Sequence, residues 1–301
     1  MLNQSVDHYL AVRRAAGFKL RNPQRYLHSF ATFASAQGDT QVRVETAIAW
    51  ATLARTEIER ARRLRIVRLF SRFMHAEDTR YERVPEHVFC GHHRRPTPYI
   101  LTDDELQRLI VQACRLGPPN SLRPHTYSTL ITLLAVTGLR PAEALALRFD
   151  DLTPDGLVIR ETKFRKSRLV PVHGTTQAAL ERYRQRRCQI AGHDDHLFVS
   201  LKRRPLAMVS AARTFRQLLK AAGLPDRPGR LRLHNLRHLF ATRALEHAPH
   251  DRDQIGRHVL ALTVYLGHAH LEGTYWYLET TPQLMINIAE RCEAFAAGGA
   301  S

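Results

Sequence analysis

Residues 135–147, AVTGLRPAEALAL, contain the end of one helix and, directly after it, the start of another. The apolar run stops at Gly138, and Pro141 stands near the first position of the next helical run, where proline is well tolerated. This order predicts that Arg140 lies at a helix N-terminus, where backbone N–H groups favour an anion. Arg140 is therefore a candidate phosphate contact, and the alternative is an ion pair with Glu143 on the next turn.

Three further motifs follow Arg140 along the chain. His234 and Arg237 are three residues apart, which puts them on one face of a helix. Leu266-Gly267-His268 comes next, and Tyr277 follows nine residues after His268. Arginine can hold phosphate oxygens and histidine can move protons near neutral pH, whereas a lone tyrosine is more often a packing residue.

A cationic β-hairpin is expected between these motifs. Two short β-prone runs, residues 156–160 and 168–172, flank a polar turn. Cationic side chains are grouped in and beside the turn, at Lys163, Arg165, Lys166 and Arg168. A hairpin of this kind can place a cation in a groove or beside a phosphate.

Helical patterns dominate the rest of the chain and suggest two domains. Near the N-terminus, apolar residues keep helical spacing up to Gly17 and again up to Gly38, and a longer helix begins near Thr56. Residues 84–98 contain three prolines and have no helical period, and a capping-box pattern at Thr102 starts the next helix. We expect a helical domain over 1–84, a linker over 85–100 and a second domain over 101–301.

The long helix after Thr56 has an arginine-rich face with few acids between the arginines. This face could be an ordinary solvated surface or a contact for the DNA backbone, and the sequence favours neither. Its members are Arg60, Arg62, Arg63, Arg65, Arg68 and Arg72.

Composition points to a folded protein with a polyanionic partner. The 301 residues are 44% hydrophobic, which is typical of globular domains. There are 45 Lys and Arg against 28 Asp and Glu, a formal net charge of +17, and nucleic acid is the partner that best suits an arginine-rich excess. The chain does not begin in the order typical of a signal peptide and has no apolar run of the ~20 residues that cross a bilayer, so we expect a cytoplasmic protein without membrane contact.

Cysteine spacing argues against a disulfide framework and a zinc site. The four cysteines are scattered at Cys90, Cys114, Cys188 and Cys292, without a paired CxxC motif. Cys90 stands close to His92 and His93, but no second ligand pair accompanies them. A metal-dependent nuclease would need a carboxylate or histidine cluster with ligand spacing, and none is evident in the sequence. We therefore expect no metal and no cofactor.

Taken in order, these motifs resemble the tyrosine recombinase (phage integrase) family. The resemblance covers about residues 101–280, and the N-terminal helical segment is similar to that family's core-binding domain. It implies a mainly α fold with a small β-hairpin or sheet, in which a helical core-binding domain and a catalytic domain form a C-shaped clamp on DNA. The connection over residues 246–258 is longer than is usual in the family.

The resemblance also implies residue roles. The two catalytic arginines would be Arg140 and Arg237, with His234 paired to the second and His268 at the later His or Trp position. Tyr277 would be the nucleophile, with Tyr275 as the alternative. Lys163 would be the catalytic lysine of the hairpin turn, and the remaining candidate contacts to DNA are Arg165 and Lys166, the latter also being the alternative catalytic lysine.

The implied activity is site-specific recombination through a 3′-phosphotyrosyl intermediate, without metal or ATP. The implied partners are double-stranded DNA carrying paired recombination sites, three further copies of this chain in a homo-tetramer, and accessory proteins. Residues 283–295 have the pattern of an amphipathic helix that packs either on its own subunit or on a neighbouring one. Two other activities fit the same fold: strand passage of the type IB topoisomerase kind, and DNA binding by a catalytically silent accessory protein.

Overall fold

The computed structural model describes residues 2–89, 99–160, 167–190, 194–224, 231–247 and 252–268, together with 271, 273 and 274. The chain divides into two compact units, residues 1–96 and 97–301. This division falls inside the stretch 85–100. The linker and the domain limits stay predictions, since residues 90–98 lie outside the described part.

Four helices make up the described part of the first unit. They are α1 (Leu2–Ala15), α2 (Arg21–Ala36), α3 (Val44–Thr52) and α4 (Glu57–Glu77). Helices α1 and α2 end just before Gly17 and Gly38, as predicted, and both glycines have positive φ. Their apolar faces meet α4 in a core that contains Phe30, Trp50 and Phe70.

The start of α4 is also as predicted, but its cap is one-sided. The Thr56 hydroxyl accepts a hydrogen bond from the Glu59 N–H at 3.3 Å. The Glu59 carboxylate instead accepts from the Tyr26 hydroxyl at 2.6 Å, which ties α4 to α2. One side of the capping box is therefore exchanged for a contact between helices.

The second unit is mainly helical, with a small sheet. Its helices are α5 (Asp103–Cys114), α6 (Leu122–Thr137), α7 (Pro141–Ala146), α8 (Gly174–Ile190), α9 (Met208–Ala221), α10 (Asn235–Glu246) and α11 (Arg252–Leu266). The predicted capping box at the start of α5 is complete, with Thr102 and Glu105 each accepting from the other's backbone N–H.

The sheet has three antiparallel strands. They are β1 (Leu152–Thr153), β2 (Gly156–Ile159) and β3 (Arg168–Val170), in that order. Strands β2 and β3 are the predicted hairpin, with Leu157 opposite Val170 and Ile159 opposite Arg168. Strand β1 was not predicted, and the turn over residues 161–166 lies outside the described residues.

Helix α6 lies at the centre of the second unit and packs against α5, α8 and α10. Its inward side chains, among them Leu130, Ile131 and Leu134, are fully buried. A separate apolar cluster joins α10 to α11. This packing brings together the C-terminal ends of α6 and α11 and the first turn of α10, and the mainly α fold with a small sheet is confirmed.

Among the residues that the structure describes, no helix is both long enough and apolar enough to cross a membrane. Cys114 and Cys188 carry free, exposed thiols, and Cys90 and Cys292 lie outside the described part.

Candidate active site

Gly138 ends α6 and turns the chain sharply into α7. Its φ is +60°, and a Cβ at this position would lie 2.4 Å from Cδ1 of Phe240 on α10. Only glycine fits both the backbone angle and the space. The turn leaves Arg140 as the N-cap residue of α7, immediately before Pro141.

Arg140 lies at the predicted helix start but is already paired there. The Glu143 carboxylate accepts from the Arg140 backbone N–H at 3.0 Å and from Nη1 at 2.8 Å. Nη2 of Arg140 donates to the Gly267 carbonyl at 3.0 Å. The anion at the α7 N-terminus is thus supplied by the protein itself, and the Arg140 side chain, 34% exposed, remains within reach of solvent.

Arg237 is the most enclosed cation of the site, with 1% of the residue exposed. Nη1 donates to the Gly138 carbonyl at 2.8 Å, and Nη2 donates to the Leu266 carbonyl at 2.7 Å. Both carbonyls stand at helix C-termini, where the helix dipole favours a positive charge. The ends of α6 and α11 therefore offset the cost of burying this guanidinium.

The Leu-Gly-His motif is the C-terminal cap of α11. Gly267 has a φ of +66°, and a Cβ there would lie 2.8 Å from Nη1 of Arg168. The His268 N–H donates to the Thr263 carbonyl at 3.0 Å, which closes the last turn. This cap aims the Leu266 and Gly267 carbonyls at the arginines and places His268 just beyond them.

Arg168 was expected with the cations in and beside the hairpin turn, but its side chain is largely buried and paired. Its side chain is only 14% exposed and donates to both oxygens of Glu143, at 3.1 and 2.8 Å. The Arg168 Nε also donates to the Tyr265 carbonyl at 3.1 Å. The register could have indicated this, because Arg168 pairs with the buried Ile159 on β2.

Glu143 is the acidic centre of this arginine network. Burial raises the pKa of its carboxyl, but hydrogen bonds from Arg168 and Arg140 outweigh burial and lower the pKa to about 2. The group is thus ionised at any pH at which the protein works. One carboxylate orients two guanidinium groups that come from different parts of the chain.

The histidines of the site are held neutral. Burial, together with the charges of Arg237 and Arg140, lowers the pKa of His268 to about 4. The same three causes lower the pKa of His234, which keeps an exposed edge. His238, whose ring centroid is 4.9 Å from that of His234, has its pKa lowered to about 3, chiefly by burial. His238 was not singled out by the sequence motifs.

His268 joins Arg237 to the end of the described chain. Its Nε2 lies 2.8 Å from Nη2 of Arg237. Its Nδ1 lies 2.8 Å from the hydroxyl of Thr274, which is fully buried. Sequence reasoning did not identify Thr274.

The structure therefore brings four of the six predicted catalytic residues together, from the start of α7, the first turn of α10 and the end of α11: Arg140, His234, Arg237 and His268. Lys163, with Arg165 and Lys166, lies outside the described residues. So do Tyr277 and Tyr275. Their roles stay predictions.

Two members of the arginine-rich face of α4 make contacts within the first unit. Arg60 donates from Nε to the Ala54 carbonyl at 2.9 Å. Arg63 donates to the Trp50 carbonyl at 3.4 Å and stacks over the indole ring at 5.2 Å. Both side chains are half-buried and serve the packing of the first unit.

Of the other four arginines on this face, two form ion pairs and two are exposed. Arg68 pairs with Glu86 at 2.5 Å, and Arg62 pairs with Glu59 at 3.1 Å. Arg65 and Arg72 are exposed. They lie seven residues apart, about two helical turns, so they share one side of α4. These two arginines are the best placed of the six to meet a DNA backbone.

One acidic cluster was overlooked in the sequence. Asp194, Asp195 and His196 hold their ligand atoms within 4.8 Å of one another. However, Asp195 pairs with Arg148 at 2.7 Å, and the Asp194 carboxylate accepts from the His196 backbone N–H at 2.8 Å. In addition, Nη2 of Arg187 on α8 donates to the Asp194 carbonyl at 2.7 Å, so the cluster is part of the packing beside α8.

Comparisons with known proteins identify a family and relatives that span most of the chain. The profile of the phage integrase family matches residues 99–283. An integrase/recombinase of Sinorhizobium fredii, y4rB, is 38% identical and covers 96% of both chains. The tyrosine recombinase XerD of Halalkalibacterium halodurans is 29% identical over 78% of this chain and 75% of its own.

Solved structures share the fold. The XerH recombinase bound to a palindromic difH substrate matches with a TM-score of 0.66 and 20% identity, over 90% of this chain and 78% of that one. A lambda integrase tetramer bound to a Holliday junction matches with a TM-score of 0.57 and 18% identity, over 89% and 77%. With the family profile and a relative of this identity spanning nearly the whole chain, the protein belongs to the phage integrase family of tyrosine recombinases.

Proposed function

We propose that this protein recombines DNA at specific sites by cleaving and rejoining strands through a 3′-phosphotyrosyl intermediate. The observation that carries the proposal is the convergence of Arg140 and Arg237 on the C-termini of α6 and α11, beside His268. The Glu143 carboxylate pairs with the guanidinium groups of Arg140 and Arg168, and Arg237 adds a third guanidinium group, which shares the Leu266 carbonyl with Arg140. The excess positive charge suits a phosphodiester.

In this proposal the two arginines hold the non-bridging oxygens of the scissile phosphate. Helix-end carbonyls and Glu143 fix both guanidinium groups before DNA binds, so little reorganisation is needed as charge builds on phosphorus. Preorganised donors of this kind are the largest source of transition-state stabilisation in many enzymes. The half-exposed Arg140 side chain would meet the phosphate first.

The reaction uses residues of this chain alone. The phenol oxygen of Tyr277 attacks phosphorus and passes its proton to His234, which is neutral and able to accept it. The bond from phosphorus to the 5′-oxygen breaks, and Lys163 gives that oxygen a proton. The product is a 3′-phosphotyrosyl link and a free 5′-hydroxyl, and attack by the 5′-hydroxyl of another strand reverses the step without ATP or metal.

His268 needs a proton on Nε2 before it can donate to the phosphate. In the free protein this nitrogen faces a guanidinium donor. The negative charge of the bound phosphate favours the protonated ring. His268 then becomes the third donor to the phosphate, beside the two arginines.

We further propose the assembly and setting of the reaction. Residues 1–84 would be a core-binding domain, 85–100 a linker and 101–301 the catalytic domain. Four copies would act on two paired sites in double-stranded DNA, with residues 283–295 docking on the same or a neighbouring subunit. The DNA would belong to a mobile element, the place of action would be the cytoplasm, and accessory proteins would set direction.

Covalent trapping tests this function. The protein is incubated in EDTA with a nicked suicide duplex carrying the end sequence of its own element, and adducts are separated on a denaturing gel. We expect an adduct with wild type and with Tyr275→Phe, and none with Tyr277→Phe. Loss in Tyr275→Phe alone would move the nucleophile. If the protein binds this DNA but forms no adduct, the result would favour a catalytically silent DNA-binding protein over an enzyme.

A further inference from the structure

A chain of side-chain hydrogen bonds leads away from His268 into the protein. His268 Nδ1 lies 2.8 Å from the Thr274 hydroxyl, and that hydroxyl lies 2.9 Å from the Thr263 hydroxyl. The Thr263 hydroxyl donates to the Val259 carbonyl, one turn earlier on α11, at 2.7 Å. Both threonines are buried, with 0% and 6% of the residue exposed.

The last contact gives the chain a direction. A carbonyl can only accept, so the single proton of the Thr263 hydroxyl is committed to Val259. Thr274 must then donate its own proton to Thr263. The Thr274 oxygen is left as the acceptor for His268, whose Nδ1 therefore carries a proton.

The other side of the ring leads independently to the same tautomer. Nε2 of His268 lies 2.8 Å from Nη2 of Arg237, and a guanidinium can only donate. Nε2 must accept, so in the neutral ring the proton is on Nδ1. A neutral ring with its proton on Nε2 would point this proton at Arg237 and leave Nδ1 and Thr274 mismatched.

We propose that Thr274 and Thr263 are positioning residues for strand cleavage, which hold His268 with its proton on Nδ1 and its Nε2 toward Arg237. This inference rests on the proposed function. The hydroxyl chain is compatible with two states of the ring. In the free protein Nε2 accepts from Arg237, and when the ring gains a proton beside the phosphate, Nδ1–H stays on Thr274 while Nε2–H becomes a donor.

The chain also ties the histidine to the polypeptide that carries the proposed nucleophile. Thr274 stands three residues before Tyr277 in the sequence, and Thr263 is in the last turn of α11. A contact between the two hydroxyls thus joins the cap of α11 to the segment leading to Tyr277. Loss of either hydroxyl is expected to lower the cleavage rate rather than the affinity for DNA.

The test uses isosteric substitutions in the full-length protein. Thr274→Val removes the hydroxyl, Thr274→Ser keeps it, and Thr263→Val breaks the chain one step further away. Thr242→Val is the matched control, because Thr242 is a buried threonine of the same unit whose hydroxyl makes no hydrogen bond within the described part of the chain.

The first readout is spectroscopic and does not depend on activity. Protein labelled with ¹⁵N-histidine reports the tautomer of each ring, and His268→Asn assigns the His268 signals. We expect wild type, Thr274→Ser and Thr242→Val to show the neutral ring with its proton on Nδ1, and Thr274→Val to show a shifted Nδ1 signal, because its Nδ1–H has lost the Thr274 acceptor. A wild-type ring protonated on Nε2 instead, or an unchanged Nδ1 signal in Thr274→Val, would overturn the inference.

The second readout is single-turnover adduct formation on the nicked duplex, with DNA affinity measured in parallel. We expect Thr274→Val and Thr263→Val to cleave about 10-fold more slowly at unchanged affinity, the size of one unmade hydrogen bond in a site. Thr274→Ser should recover the wild-type rate. Equal rates in Thr274→Val and Thr242→Val would contradict the positioning role. If wild type forms no adduct while its tautomer is as expected, the proposed function has failed, and the positioning role fails with it.

Discussion

Replacing Glu143 with glutamine should lower the free energy of unfolding far more than the same change at a surface carboxylate. The Glu143 side chain is 10% exposed and accepts four hydrogen bonds, two from Arg140 and two from Arg168. Glu143→Gln removes the charge that those donors surround. Glutamine keeps one acceptor oxygen and turns an amide donor toward an arginine.

The magnitude follows from the pKa of the carboxyl. The pKa falls from its usual 4.5 to about 2 in the folded protein, because the arginine hydrogen bonds outweigh burial. At about 1.4 kcal/mol for each factor of ten in the acid constant, ionised Glu143 contributes about 3 kcal/mol at pH 7. Because the folded pKa is the lower one, this contribution is complete above pH 4.5 and is lost as the pH falls toward 2.

Urea unfolding followed by circular dichroism measures this contribution, with the transition of the second unit fitted separately. We expect Glu143→Gln to lower the free energy of unfolding by about 3 kcal/mol at pH 7 and by about 2 kcal/mol at pH 3.5. The matched control is Glu181→Gln, which breaks an exposed pair with Arg184 and should cost less than about 1 kcal/mol. Equal losses in the two variants, or a loss at Glu143 that does not shrink at low pH, would refute the reasoning.

Three other predictions follow from single contacts. Gly138→Ala should destabilise the protein by more than about 1 kcal/mol, because Gly138 has a positive φ and an aromatic ring lies beside it. Gly174→Ala should not, because the space around Gly174 is open, and thermal unfolding compares the two variants. The free energy of unfolding should fall as the pH drops below 6.5, because His238 stays neutral in the folded protein while it gains a proton in the unfolded one. His238→Gln should remove about 2 kcal/mol of the loss between pH 7 and 5. An equal loss in the variant and in wild type would contradict this. Arg65→Ala should reduce the slope of log affinity for DNA against log salt by about 0.9, while Arg63→Ala should leave it unchanged; equal slopes in both variants would remove Arg65 from the DNA interface.

The sequence predicted those parts of the fold that depend on local signals. Helix ends at Gly17 and Gly38, the start at Thr56 and the capping box at Thr102 are each fixed by a few neighbouring residues. The hairpin was equally local. Helix α3 was missed, because its nine residues are too few to show a clear helical repeat, and it gains its stability from burying Trp50 against α2 and α4.

The site was predicted as residue types but not as an arrangement. The motifs identified Arg140, Arg237 and His268, yet nothing local shows that helix-end carbonyls hold the arginines. Arg168 looked like a surface cation because its partner, Glu143, is distant in sequence. Contacts of this kind depend on how α6, α10 and α11 pack, and no local pattern in the sequence shows this packing.

The central claim is that Tyr277 becomes covalently joined to a DNA 3′-phosphate. Trapped adduct, formed in EDTA and digested with nuclease and protease, can be sequenced by mass spectrometry. The account predicts a 3′-phosphonucleotide on the peptide that contains Tyr277, at the phenol oxygen. The same modification on Tyr275, on a serine or on no peptide would contradict it.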